Sequence, residues 1–210
     1  MAEDPAHDDS LVARIRGGDT QAMAEFFDKH RDRLRRMVRL RIDRRLQGRV
    51  DPSDVLQEAF LDVHRRQAEY IADPKMPPFL WLRFLTGQRL LALHRQHLGT
   101  QMRGAGREVS LRAGSMPEAD SLSLANLLLG RLTTPSLAAT RAEMQIRLQD
   151  VLNAMDPIDR EVLVLRHFEE LSNNETAAIL GLEKAAASNR YVRALKRLAN
   201  ILATMPGFLG

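Results

Sequence analysis

Asn189, Arg190, Arg193, Lys196 and Arg197 bring amide, guanidinium and ammonium groups into one short stretch near the end of this 210-residue chain. At 100° per residue, Asn189, Arg193, Lys196 and Asn200 share one side of a helix, opposite Ala187, Tyr191, Leu195, Leu198 and Leu202. Arg190 and Arg197 flank the polar side. Such a helix has an apolar back that holds it and an outer face that can bond base edges and phosphates. Arginine suits guanine and asparagine suits adenine, each through two parallel hydrogen bonds. Lys196 and Arg197 lie further along, where a helix leaves the groove, and suit phosphates. The spacing predicts a DNA-reading helix.

Other chemistry is sparse. His94 and His97 lie three apart on a helix, as two metal ligands can, but no carboxylate or cysteine stands near them to complete a site. There is no cysteine at all, which removes thiolate metal sites, disulfides and thiol catalysis together. No Gly-rich phosphate loop and no nucleophile with a local signature appears. The expectation is a protein that is not an enzyme, with no catalytic residue, metal or cofactor.

The elements that must position the basic helix can be read locally. Asp156-Pro157-Ile158-Asp159 places a capping acid, a proline suited to the first helical position and an acid at the positive end of the dipole. A helix through Phe168 is expected from there. Ser172 and Glu175 form a capping box, and Gly181 can end the short helix between them in the left-handed conformation. Ala177 is small enough for a second helix to cross closely. Short helix, turn and basic amphipathic helix together predict a helix-turn-helix.

The Asp-Pro-x-Asp pattern also occurs earlier, as Asp51-Pro52-Ser53-Asp54, followed by the apolar stripe Val55, Ala59 and Val63 with Leu56 and Phe60 beside it. Phe26, Phe27, His30, Leu34, Met37 and Val38 predict an amphipathic helix before it, closed near Gly48. Residues 79–93 predict an apolar helix after it, buried at the centre of a first domain. Trp81 on that helix could stack on a base, but so apolar a setting favours a core position.

Between 101 and 136, glycines, serines and prolines interrupt the pattern and predict a linker, with an apolar island at 122–132 that can form a short docking helix. No segment alternates as a strand. The fold class is therefore all-α: a domain over 9–100, a linker over 101–136, and a helix-turn-helix domain over 137–205.

The net charge of +4 is modest but arginines cluster at 31–49, 83–112 and 190–197, which suggests local contact with a polyanion. The acidic start carries no apolar run, so no signal peptide is expected. No stretch reaches the roughly 18 apolar residues of a membrane span, and no membrane insertion is expected. A cytoplasmic protein fits these features.

Two separated segments resemble one family. Asp51-Pro-Ser-Asp54-Val-Leu-Gln57-Glu58-Ala-Phe60-Leu61 is similar to the polymerase-binding helix of extracytoplasmic-function (ECF) sigma factors of bacterial RNA polymerase. Trp81-Leu82 through Gln88 to His94-Arg95 resembles the helix that follows it, which meets the melted downstream promoter element. The stretch from Leu163 to Gly181, with Arg190-Tyr-Val-Arg193-Ala-Leu-Lys196-Arg-Leu198, resembles the reader of the upstream element. The resemblance implies that Asp54, Gln57, Glu58, Phe60 and Leu61 bind core RNA polymerase. It implies that Arg83, Gln88, Arg89 and Arg95 meet opening promoter DNA, with the loop 70–78 as the wall of a base pocket. It implies the upstream role for Asn189, Arg190, Arg193, Lys196 and Arg197, and it leaves room for an anti-sigma factor as a further partner. The chain departs from the family's common pattern at Gln88, Ala92, Thr176, Ala186, Ala187 and Ser188-Asn189, so a promoter sequence cannot be borrowed from relatives.

Two other functions fit the residues less well. A helix-turn-helix regulator with a helical sensor domain would bind duplex DNA without polymerase. A helical adaptor with solvated arginine faces would show no salt-dependent DNA affinity. The segment from Asp51 to Leu61 discriminates against both.

Overall fold

The computed structural model of the protein describes residues 5–98, 116–132 and 138–203. These residues are helical and turn structure, with no strand among them. They form two compact units, one of residues up to 38 and from 45 to 117, the other of 39–44 and from 118 onward.

The first unit contains α1 (Pro5–Arg16), α2 (Thr20–Lys29), most of α3 (Arg31–Arg41), α4 (Pro52–Ala72) and α5 (Pro78–Leu98). Asp19 caps α2 by accepting from the Gln21 and Ala22 amides at 2.9 and 3.1 Å. The amphipathic stretch expected as one helix over 26–38 is two, because the chain turns at His30, the C-cap of α2. Asp51 caps α4 through the Ser53 amide at 2.7 Å, with Pro52 at the first helical position. Val55, Leu56, Ala59 and Val63 are buried as their spacing predicts, while Phe60 is half-buried and packs edge-on against Phe27. Along α5, Phe79, Leu82, Leu85 and Leu90 are buried, and the helix packs against α4.

The second unit contains α6 (Ser121–Leu132), α7 (Ala138–Asn153), α8 (Pro157–Leu163), a π-helical turn (Val164–Phe168), α9 (Asn173–Leu180) and α10 (Lys184–Ala203). The apolar island of the expected linker is thus α6. Its Leu124, Ala125, Leu128 and Leu129 are buried in one cluster with Leu148, Leu152, Leu163 and Phe168. The compact unit therefore begins at Glu118 rather than at 137; apolar side chains spaced to make one helical face find their core there. The first part of the expected linker, 101–115, lies outside the described residues.

Asp156 caps α8 through the Ile158 amide at 2.8 Å, and the helix expected through Phe168 widens into the π turn after Leu163. Ser172 and Glu175 complete the capping box of α9 in both directions, at 2.7 and 3.2 Å. Gly181 ends α9 at φ 62°, a left-handed value that glycine adopts without the Cβ clash.

Buried within this unit is Arg41, only 1% exposed, with its guanidinium on Glu161 and Glu169 at 2.5 Å each. Glu169 is equally buried. An arginine read in the sequence as part of a basic patch is here the centre of a buried ion triad.

Candidate nucleic-acid interface

In the second unit, α9 and α10 form the helix-turn-helix that the sequence predicts. Ala177, on α9, is 5% exposed, and α10 packs against both α8 and α9. Ala187, Ala194 and Leu198 form the buried back of α10, with Tyr191 and Leu195 half-buried beside them. Ser188, Asn189, Val192, Lys196 and Asn200 are exposed on its outer side.

The arginines of α10 are not equivalent to that outer row. Both Arg190 and Arg193 reach back to Asp159 on α8. Arg190 donates from Nη1 to Oδ1 at 2.7 Å, and Arg193 donates from Nε to Oδ2 at 2.9 Å and from Nη2 to Oδ1 at 2.8 Å. Asp159 is 6% exposed, and these charge-assisted bonds, first of all that from Arg193, hold its carboxyl below the usual carboxylate range. Two of the three guanidinium nitrogens of Arg193 are thus engaged within the chain, while its side chain remains 61% exposed. Arg197 donates to the Ala154 carbonyl at 3.1 Å. Asn189 and Lys196 stay on the open face. The sequence reading missed Asp159 as their partner; it saw there a dipole-favouring acid, and no local signal marks more.

In the first unit, Asp54, Gln57, Glu58 and Leu61 are exposed along one side of α4, Leu61 by 45%. With Phe27, Asp28, Arg31 and Phe60, the last three residues of that row line a groove of about 430 Å³ between α2 and α4. The set expected at the downstream promoter element is divided. Arg83 is buried, 6% exposed, which removes it from the surface in this structure. Arg89 is bidentate on Asp62 of α4 and lies 3.9 Å from Glu58. Gln88 is exposed and accepts from Arg66 at 3.2 Å, and Arg95 is exposed near the end of α5.

Trp81 is in the core, stacked on Tyr70 with ring centroids 4.4 Å apart and planes at 19°. Burial pushes the Tyr70 hydroxyl up to about 12, so it remains a donor, and it bonds the Met76 carbonyl at 2.7 Å. That bond closes the loop expected as a pocket wall against its own helix. His94 is buried while His97 is exposed, and no group of three or more metal-ligating side chains gathers among the described residues. No described helix is long and apolar enough to cross a membrane.

Sequence relatives and a family model point to one family. Residues 145–198 match the family described as Sigma-70, region 4, which spans α8, α9 and the turn between them as well as most of α10. The chain is 30% identical over 190 residues to ECF RNA polymerase sigma factor SigD of Mycobacterium tuberculosis (strain ATCC 25618 / H37Rv), covering 90% of this chain and 81% of that one. It is 24% identical over 200 residues to RNA polymerase sigma factor NccH of Alcaligenes xylosoxydans xylosoxydans, covering 95% and 96%. A solved structure, of CnrH in complex with the cytosolic domain of CnrY, shares the fold with a TM-score of 0.50 at 23% identity, covering 92% of this chain and 95% of that one. A match of this identity along nine-tenths of the chain, joined to the helix-turn-helix of α9 and α10, places the protein among the ECF sigma factors, which direct RNA polymerase to promoters.

Proposed function

We propose that this sigma factor docks on core RNA polymerase through the exposed side of α4 and presents α10 to the upstream promoter element. The observation that carries the first half is the split of α4 into two faces. Val55, Leu56, Ala59 and Val63 are committed to the core, and Asp54, Gln57, Glu58 and Leu61 are left outward beside a groove of mixed polar and aromatic lining. Carboxylates around an exposed leucine suit a basic, partly apolar partner surface, where charge-assisted pairs form around an apolar centre. The protein contributes no catalytic group in this reading; nucleotide chemistry belongs to the polymerase, and the cytoplasm is where both work. An anti-sigma factor is a further partner that the same exposed surfaces could serve.

The test is the double variant Asp54→Arg with Glu58→Arg. Both positions are exposed, so helicity should be retained while co-purification with core polymerase and run-off transcription are lost. Normal co-purification of the folded variant would overturn the docking assignment. Robust promoter binding by the protein without polymerase would favour a self-sufficient regulator instead.

A further inference from the structure

We propose that Val192 is a specificity determinant of the upstream element and makes an apolar contact with the C5-methyl group of a thymine. This rests on the reading of α10 as the promoter-reading helix and names one of the bases it reads. The outer side of α10 is polar at Ser188, Asn189 and Lys196, yet Val192 sits among them 46% exposed, one turn beyond Ser188. Scattered surface valines are ordinary. This one lies within the first half of the helix, the part of a recognition helix that contacts base edges.

The neighbouring arginines strengthen the assignment by what they are doing. Arg193 engages two nitrogens with Asp159 and Arg190 a third, so these guanidinium groups already have a partner on α8, although the Arg193 side chain stays 61% exposed. Held there, their remaining positive charge suits the phosphates flanking a groove, which position a protein without reading sequence. Outward along the first half of α10, besides Arg193, are Lys184, Ala185, Ser188, Asn189 and Val192, and of these Ala185 and Val192 alone are apolar. Within the major groove the thymine methyl is the one apolar group a base pair presents, and it is the complement that a valine side chain has there. Asn189, beside it, can bond an adenine edge. The geometry therefore points to an A/T-containing element, in contrast to the guanine expected from Arg193 by spacing alone.

The experiment begins with holoenzyme reconstituted from the full chain and core polymerase, used to select upstream elements from a randomised library. Each thymine of the selected element is then replaced in turn by deoxyuridine, which keeps the base pair and removes only the methyl group. Wild-type holoenzyme should lose about fourfold in affinity at one position, the worth of one buried methyl-sized group. Holoenzyme carrying Val192→Ala should be insensitive at that position, and Val192→Thr, which keeps a branched methyl, should recover part of the sensitivity. Arg193→Ala should leave the selected sequence unchanged while flattening the salt dependence by about one phosphate contact. Deoxyuridine sensitivity that survives Val192→Ala would give the methyl contact to Ala185 or another residue and overturn the proposal alone. Loss of a guanine preference in Arg193→Ala would overturn it as well, by returning base reading to the arginine. Holoenzyme that forms and transcribes but selects no upstream element would overturn the assignment of α10 as the promoter reader, and the role of Val192 with it.

Discussion

Asp51-Pro52-Ser53-Asp54 in the first unit and Asp156-Pro157-Ile158-Asp159 in the second are nearly the same local instruction, and they start α4 and α8 in the same way. In each, the first aspartate accepts from the amide two residues on, at 2.7 and 2.8 Å, and the proline takes the first helical position. The fourth residue then meets opposite fates. Asp54 is exposed at the edge of the proposed docking face, while Asp159 is 6% exposed and accepts three guanidinium hydrogen bonds from α10. The contrast extends beyond the two caps. The acids of α4 at 54 and 58 face outward, whereas Glu161 and Glu169 of the second unit turn inward onto Arg41. On α4 the carboxylates at 54 and 58 stay exposed while Asp62 pairs with Arg89; Asp159, Glu161 and Glu169 of the second unit all pair with arginines of their own chain.

The largest effect should come from the buried triad. Arg41→Ala leaves Glu169 buried without its cation and should cost about 3–5 kcal/mol of the second unit's stability. Arg44→Ala, at an exposed arginine three residues on, should change it by less than about 0.5 kcal/mol. Hydrogen exchange of the α8 amides would read both, and similar protection in the two variants would show that the triad is not structural.

Next in size is the paired substitution at the fourth cap position. Asp159→Ala removes charge-assisted bonds at a buried site and should cost about 2 kcal/mol. Asp54→Ala removes an exposed acid from a helix start and should cost below about 1 kcal/mol. The two should also differ in pH dependence. Because Arg193 and Arg190 lower the folded-state affinity of Asp159 for a proton, its contribution is complete above the unfolded value of about 3.9. It shrinks as the pH falls through the lower folded value. Stability of the second unit in Asp159→Asn should accordingly fall less steeply below about pH 4 than in the wild type. An identical acid limb in urea titrations would break the contrast.

The smallest effect is the one the two regions share. Asp51→Ala and Asp156→Ala each remove an N-cap bond and should each cost about 1 kcal/mol, in different units but by the same amount. A cost confined to one of them, by unit-resolved hydrogen exchange, would mean that the caps differ in more than their fourth residue.

What the sequence determined by itself is where several of the helices start and stop. The stripe of Val55, Ala59 and Val63, the two aspartate caps, the capping box at Ser172 and the left-handed Gly181 each depend on residues within a few positions of one another. Backbone hydrogen bonding and the 3.6-residue period act over that range. The family resemblance was legible for the same reason, as short runs of residues in order. The tertiary structure alone decided which charges stay free. Arg193 finds Asp159 from 34 positions away, and Arg41 finds Glu169 from 128 away. No periodicity encodes which helices meet. It also decided that Arg83 belongs to the core and that the apolar island of the linker is α6, a wall of the second unit. A helical wheel shows which side chains face outward from one helix; whether they meet DNA, a carboxylate or another helix depends on what packs beside it.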